Sequence, residues 1–280
     1  MRRIVLVDIG GASASGMIVS SPVDPPFSSP IDDSPTIDNS PTIDGSPIHD
    51  SLLDYLISWW DHDETGDATV TRTDSHGTND FNSNSNVSHT ASGLIGNGTF
   101  HGVAGGYLSR ASGSVTDLGL VTGDFTLASW FLSSDTNNNT GLLSRWDDPG
   151  DNRRWTMYLQ AGEPKFSIST DGTGGTQLDL ASGVTPAAND YHLVVVWRDT
   201  AADLLYIQVD NGTPVSTALD GSTPLHNGAA DLFSMSIRNG LYGSALTADI
   251  QAAWSRMLTT DERTHFYNSG AGLQYSDLIV

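Results

Sequence analysis

Residues 250–274 read IQAAWSRMLTTDERTHFYNSGAGLQ. The run Ile250–Met257 is apolar and aromatic enough for a strand. It gives way at once to Thr259-Thr260-Asp261-Glu262, in which a threonine and a glutamate three residues apart can satisfy each other's backbone N–H groups in a capping box. Gly270, just beyond Tyr267-Asn268, supplies a stop. This is the one well-signalled helix in the sequence, and it is short.

Upstream of it, the chain from residue 51 repeats a single theme. Short runs rich in β-branched and aromatic residues alternate with Gly/Asn/Asp/Ser turns. The candidate strands are Leu53–Trp60, Phe100–Ser109, Phe125–Leu132, Gly141–Trp146, Trp155–Leu159 and Phe166–Ser169. They continue through Gln177–Leu180, His192–Arg198, Leu204–Val209, Val215–Ala218, Leu232–Ile237 and Ile250–Met257. Trp155, Met157 and Leu159 alternate with polar Thr156, as on a half-buried strand. Leu193–Trp197 is apolar at every position, which predicts a central strand covered on both sides. Asp210-Asn211-Gly212 offers the positive-φ residues of a tight hairpin. Many strands and one helix predict an all-β fold, a two-sheet antiparallel jelly-roll sandwich with one short C-terminal helix.

Residues 21–50, SPVDPPFSSPIDDSPTIDNSPTIDGSPIHD, are of another kind. Ser-Pro recurs at Ser21, Ser29, Ser34, Ser40 and Ser46. Proline removes a backbone donor and biases its predecessor toward extended geometry, so residues 1–50 are expected to be an extended Ser/Pro-rich N-terminal arm ahead of a domain at 51–280. Such an arm cannot bury a core of its own. Ile31, Ile37, Ile43 and Ile48 recur about every six residues and are the expected contacts on a partner.

Composition excludes several functions. Twelve basic residues face 33 acidic ones, a net charge of −21, and Lys165 is the one lysine. No basic patch can replace phosphate counterions, so neither nucleic acid nor an anionic membrane is an expected partner. The absence of cysteine removes disulfides, thiolate metal sites and cysteine catalysis. Asp8 interrupts the apolar run Ile4–Val7 well short of the about seven to fifteen residues of a signal core, and no stretch approaches the ~18 of a membrane span. The Asp excess suits folding in strong salt; the plainer reading is an Arg-favouring genome with Asp-rich turns.

In this order, the segments resemble the laminin-G-type jelly roll of the concanavalin A-like lectin/glucanase superfamily. Trp254, Arg256, Leu258, Thr259, Glu262, Phe266, Tyr267, Asn268 and Gly270 look like that family's last strand and short helix. Asp124–Trp130, Tyr191–Val194, Tyr206–Gly212 and the opening segments Leu53–Asp63, Asp74–Gly77 and Phe100–Leu108 are similar to its earlier strands. The resemblance covers about residues 51–275. It implies the fold, and a fold does not fix an activity.

Catalysis finds little support. Retaining hydrolysis needs two carboxylates about 5–5.5 Å apart, and Glu64, Glu163 and Glu262 lie in unrelated contexts. Tyr158 with Arg153 or Arg154 is an unspecific lyase pairing, and no His spacing suits zinc. The expected protein is not an enzyme. Calcium is the expected cofactor, since Asp/Asn/Gly loops supply the oxygens it requires. The resemblance points to Asp74, Asn79 and Asp80 in the 74–80 loop, with Asp249 at the start of the last strand; ordinary turn chemistry is the alternative. For glycans, Trp146 is the candidate stacking aromatic, followed by Asp147, Asp148, Asp151 and Asn152 as hydrogen-bonding partners. Of Trp59-Trp60, alternation sends one into the core. Trp130, Trp197 and Trp254 are core residues by the resemblance.

A domain type that works outside cells, without an export signal, fits a virus particle. The expectation is therefore a virion surface protein, a capsid decoration or fibre-like appendage. It would be oligomeric, tethered to other virion proteins through residues 1–50, and would display a lectin-like domain to a cell-surface glycan. The rival is a cellular or secreted carbohydrate-active protein.

Overall fold

Strand β19 (Leu246–Trp254) is buried at all nine positions, and the two layers of the protein are organised around it. The computed structural model describes residues 42–43 and 46–279, except 68, 103–105, 135–139, 148–149, 221, 229–232, 236, 239–240 and 243–244. Ile31 and Ile37 thus lie outside the described residues.

Among the described residues one sheet runs β12 (Gln177–Ala181), β11 (Glu163–Ser169), β10 (Asn152–Gln160), β9 (Thr140–Asp147), β16 (Phe233–Met235), β7 (Tyr107–Arg110), β4 (Ser83–Ser85). The other runs β15 (Val215–Ala218), β14 (Leu204–Val209), β13 (Tyr191–Asp199), β8 (Phe125–Ser133), β19, β6 (Gly98–His101), β5 (Ser88–Thr90). Strand β3 (Leu56–Trp60) also pairs with β19, beyond the end of β6. Two small hairpins, β1 (Thr42–Ile43) with β2 (Ser46–Pro47) and β17 (Ile237–Arg238) with β18 (Leu241–Tyr242), stand outside the two sheets. The pairings are antiparallel, and the expected two-sheet jelly roll is the fold found.

A bulge between Ala248 and Gln251 explains how β19 serves two cores. Side chains alternate along a strand, and one extra residue inverts that alternation. Leu246 and Ala248 point between the sheets, whereas Ile250, Ala252 and Trp254 point to the outer face. That outer face is covered by two helices, α1 (Ile48–Leu53) and α2 (Thr260–Tyr267), through Leu52 and Phe266. Strand β13 also has two buried faces, with Val194 and Val196 between the sheets and Leu193, Val195 and Trp197 outside, as its unbroken apolar run predicts. Trp59 and Trp60 are both buried, on opposite faces of β3, so neither faces a ligand.

Helix α1 departs from the sequence reading. The proline rhythm ends at Pro47, and Ile48–Leu53 contains none, so the bar to helix lifts there. Ile48, expected in an extended arm, opens α1; Ile43 lies in β1. Ser40–Val280 form one compact unit.

Helix α2 begins as predicted. Thr259 Oγ1 accepts from the Glu262 N–H at 3.2 Å, and Glu262 Oε2 accepts from the Thr259 N–H at 2.7 Å. Arg256 grips the same carboxylate through both oxygens at 2.8 and 2.7 Å. Burial alone would raise the Glu262 pKa, but the Arg256 guanidinium and the Thr259 N–H hold it below the ordinary glutamate value. The helix stops at Asn268, in the left-handed region at φ 47°, two residues before the expected Gly270. Replacing Glu262 by Ala removes the glutamate half of the capping box and the carboxylate that Arg256 grips, leaving the Thr259 half and the Arg256 bonds to backbone carbonyls in place. The expected loss is about 2–4 kcal/mol at neutral pH. It should shrink as pH falls below the ordinary glutamate range, and urea titrations at pH 7 and pH 3.5 measure both effects.

Candidate functional site

The segment expected to bind sugar is not built for stacking. Trp146 lies at the end of β9 and is 1% exposed, because the strand stays covered through its penultimate residue. Asp147 closes β9 opposite Asn152. Exposed Asp151 pairs with Arg153 at 2.7 Å, while Asn152 Nδ2 donates to the Gly150 carbonyl at 2.9 Å. Asp148 lies outside the described residues. The hairpin tip therefore has polar groups but no exposed aromatic face from Trp146.

Of the residues expected to hold calcium, Asp74, Asn79 and Asp80 are engaged in hydrogen bonds in and around the 74–80 loop. Asp74 Oδ1 accepts from the N–H groups of Trp59 (2.9 Å), His76 (3.2 Å) and Gly77 (2.8 Å), and Oδ2 accepts from that of Asn79 (2.9 Å). Asp80 Oδ1 accepts from the Asp74 N–H, and Asn79 Nδ2 donates to Ser58 and Asp117. The carboxylates of this loop organise its backbone, which is the turn chemistry weighed as the alternative. Asp249 sits elsewhere, at the β19 bulge, with Oδ2 accepting from the Ile95 N–H at 3.0 Å. Burial pushes its pKa up to about 7, with Asp63 and Asp61 adding to the rise against the Ile95 and Leu94 amides. Among the described residues no group of three or more His, Asp or Glu side chains is placed to share an ion.

A different region has the shape of a site. The segment 111–124 runs across one end of the sandwich and leaves two adjoining hollows of about 370 Å³ each, within the range of small-ligand sites. Thr116 and Asn227 line both. The first hollow has Arg145 and Arg154 at its base, and their placement follows from a second bulge. Strand β10 shifts register between Arg153 and Trp155, so that Trp155 lies opposite Arg145 and Arg154 is the inserted residue. A bulge re-aims the side chain it carries. Arg145 Nη1 donates to the Val115 carbonyl at 2.6 Å, and Arg154 Nη2 donates to Asn227 Oδ1 at 3.0 Å and the Gly228 carbonyl at 2.9 Å. The two arginines thus brace opposite walls, 113–116 and 227–228.

The second hollow is shaped by backbone turns, with Leu120 at φ 49° and Gly123 at φ 84°. Its rim carries Asp117, Thr122, Asp124 and Ser255. Asp124 Oδ1 is held by the Thr200 N–H and hydroxyl at 2.8 and 2.6 Å, and Arg198 anchors the neighbouring loop through the Thr223 carbonyl at 2.7 Å. Asp124 on the rim is thus tied to the turn after β13.

Ser255 on the rim of this hollow is backbone-bonded to Tyr55, at 71% the most exposed of the large hydrophobic side chains among the described residues. Tyr55 holds φ at 58°, in the region costly for a non-glycine residue. Its carbonyl accepts from the Ser255 N–H at 3.0 Å. Arg256 clamps the same turn through the Asp54 carbonyl at 2.8 Å. Leu56 lies opposite Trp254, and Trp254 opposite Thr126, so Tyr55, Ser255 and the end of β8 form a row at one sheet end. Strands lie about 4.8 Å apart, which puts the Tyr55 backbone roughly two strand spacings from Asp124. Sequence reading missed this residue because it fell inside the expected strand Leu53–Trp60.

The family model described as the concanavalin A-like lectin/glucanases superfamily, of laminin-G type, matches residues 102–262. That is more than half of the chain, and the chain belongs to this family. Among solved structures, the binding domain of Paraclostridial Mosquitocidal Protein 1 superposes with a TM-score of 0.60 at 13% identity, covering 78% of this chain and 53% of that one. The botulinum neurotoxin serotype D ligand binding domain, in complex with N-acetylneuraminic acid, gives 0.57 at 12% identity over 79% of this chain and 52% of that one. The binding domain of botulinum neurotoxin DC in complex with SialylT gives 0.51 at 11% identity over 80% and 53%. At these identities the likeness is one of fold. The chain spans about half the length of these neighbours. A search of the curated proteins finds no match. No helix among the described residues is long and apolar enough to cross a membrane.

Proposed function

We propose that this chain is a carbohydrate-binding, lectin-like protein whose site is the pair of hollows between Gly113–Asp124 and Asn227, with Tyr55 as its stacking aromatic. One observation carries the reading: an exposed aromatic, held in a strained and clamped turn, is one backbone hydrogen bond from Ser255 on the rim of a hollow lined by hydroxyl, amide and carboxylate groups. Sugars present apolar C–H faces and many hydroxyls, and this combination answers both. Membership of a lectin-bearing superfamily supports the reading, as do neighbours that are themselves binding domains, two of them in complex with sialic acid or SialylT. The activity proposed is adhesion, without turnover.

A shallow site of this kind should bind with millimolar to micromolar affinity, roughly −4 to −8 kcal/mol. Useful attachment then comes from many copies acting together. A glycan array followed by isothermal titration tests this. Tyr55→Ala should weaken the best hit by about five- to tenfold, the worth of about 1 kcal/mol of stacking, while leaving the melting temperature within a degree or two. Release of reducing ends from any polysaccharide would overturn the non-enzymatic reading.

The virion placement is part of the same proposal and rests on the arm. Its Ser/Pro/Asp composition with spaced isoleucines suits an extended segment laid along a partner. In that setting the protein is a capsid decoration or a fibre-like appendage, oligomeric through its arm. Deleting residues 1–39 should leave thermal melting unchanged and abolish incorporation into particles. Deleting residues 1–53 should also destabilise the domain, because Leu52 is buried and its carbonyl accepts from Trp254 Nε1 at 2.7 Å. A 1–39 deletion that still assembles would remove the tether.

A further inference from the structure

Segment 62–101 contributes edge strands to both sheets, β4 to one and β5 with β6 to the other. Its first and last residues are both histidines, and both are buried, His62 at 1% and His101 at 0% exposure. Arg72, from the middle of the segment, is buried with them.

The hydrogen bonds assign the protons. Gln251 Nε2 donates to Ser129 Oγ at 2.9 Å and to the Leu142 carbonyl at 3.0 Å. A carbonyl only accepts, so the Gln251 amide is fixed with Oε1 toward His62 Nε2, 3.2 Å away, and that nitrogen carries a hydrogen. On the other side of the ring, Thr99 Oγ1 accepts from Arg72 Nε at 2.8 Å and lies 3.3 Å from His62 Nδ1. The threonine hydroxyl hydrogen goes to Nδ1, which accepts it. The neutral imidazole is thus the form with every partner in place. A proton on Nδ1 would aim a second cationic donor at the oxygen that already serves Arg72, and would leave the Thr99 hydroxyl hydrogen without an acceptor.

We propose that His62, Thr99, Arg72 and His101 form an acid-operated latch, which closes segment 62–101 onto β19 at neutral pH and releases it as a unit in mild acid. The charged groups around it do not rescue the protonated state. Glu64 and Asp67 act on Arg72, which with burial and His62 governs the two rings. Among the described residues the Gly106 backbone favours the protonated form of His101 while burial, His62 and Arg72 oppose it, and His89 faces outward toward Asp67. Burial, before all else, holds both imidazoles down to about 3. The unfolded chain takes up these protons near pH 6.5. The stability they contribute is therefore complete above about pH 6.5 and lost as pH falls toward 3. Asp249 works in the opposite direction, since its raised value favours the folded state at lower pH.

Hydrogen exchange read by mass spectrometry on the full chain at pH 7.0 and 5.0, corrected for intrinsic rates, tests the latch. Peptides within 62–101 should lose protection by about tenfold per pH unit for each proton taken up, while β13 and β14 keep theirs. In an Asp249→Asn background, which removes the opposing titration, the loss should steepen. His62→Gln, which keeps a donor to Gln251 but cannot become charged, should flatten it. Unchanged protection of 62–101 at pH 5.0 relative to β13 would overturn the proposal. So would a uniform loss across the chain. Because the wild-type measurement decides the matter, a variant that fails to fold leaves the test intact.

Discussion

The amide of Gln251 ties the two sheets of this protein together. It donates to Ser129 on β8 in its own sheet and to the Leu142 carbonyl on β9 in the opposite one, and it accepts from His62. A buried amide with unmet partners would cost several kcal/mol, so the residues around it have little freedom. The bulge that turns Gln251 inward is the same one that turns Ile250, Ala252 and Trp254 outward. Without it, one face of β19 would present the wrong residues to each core. Helices α1 and α2, the segment 62–101 and the strand β3 all take their positions from this one strand.

Some of this architecture was legible in the sequence because its causes are local. The capping box at Thr259–Glu262 needs only neighbouring residues, and it formed where the spacing placed it. The apolar run Leu193–Trp197 specifies two buried faces by itself. Trp130, Trp197 and Trp254 lie in the core, as the family resemblance implied. Tertiary causes were hidden. Asp74 looks the same in sequence whether its oxygens hold a metal or four backbone amides. Trp146 ends an apolar strand before a polar turn, a pattern shared by exposed rim aromatics and covered ones.

The candidate site was the least legible part. Arg145 and Arg154 share one hollow only because β10 is bulged between Arg153 and Trp155, and a bulge leaves no clear mark in a sequence of alternating residues. Tyr55 is exposed because α1 ends at Leu53 and the chain then turns through a left-handed residue before β3 begins. Helix α1 itself was masked by the proline-rich composition that precedes it. The hollows also draw on residues far apart in the chain, from Gly113 to Ser255.

Backbone amide chemical shifts of the 15N-labelled protein, followed while a bound saccharide is titrated in, locate the site directly. Perturbations confined to Gly113–Asp124, Asn227 and the turn carrying Tyr55, the proposed site, are the expected result. Perturbations centred instead on residues 147–152 or on the 74–80 loop would contradict it.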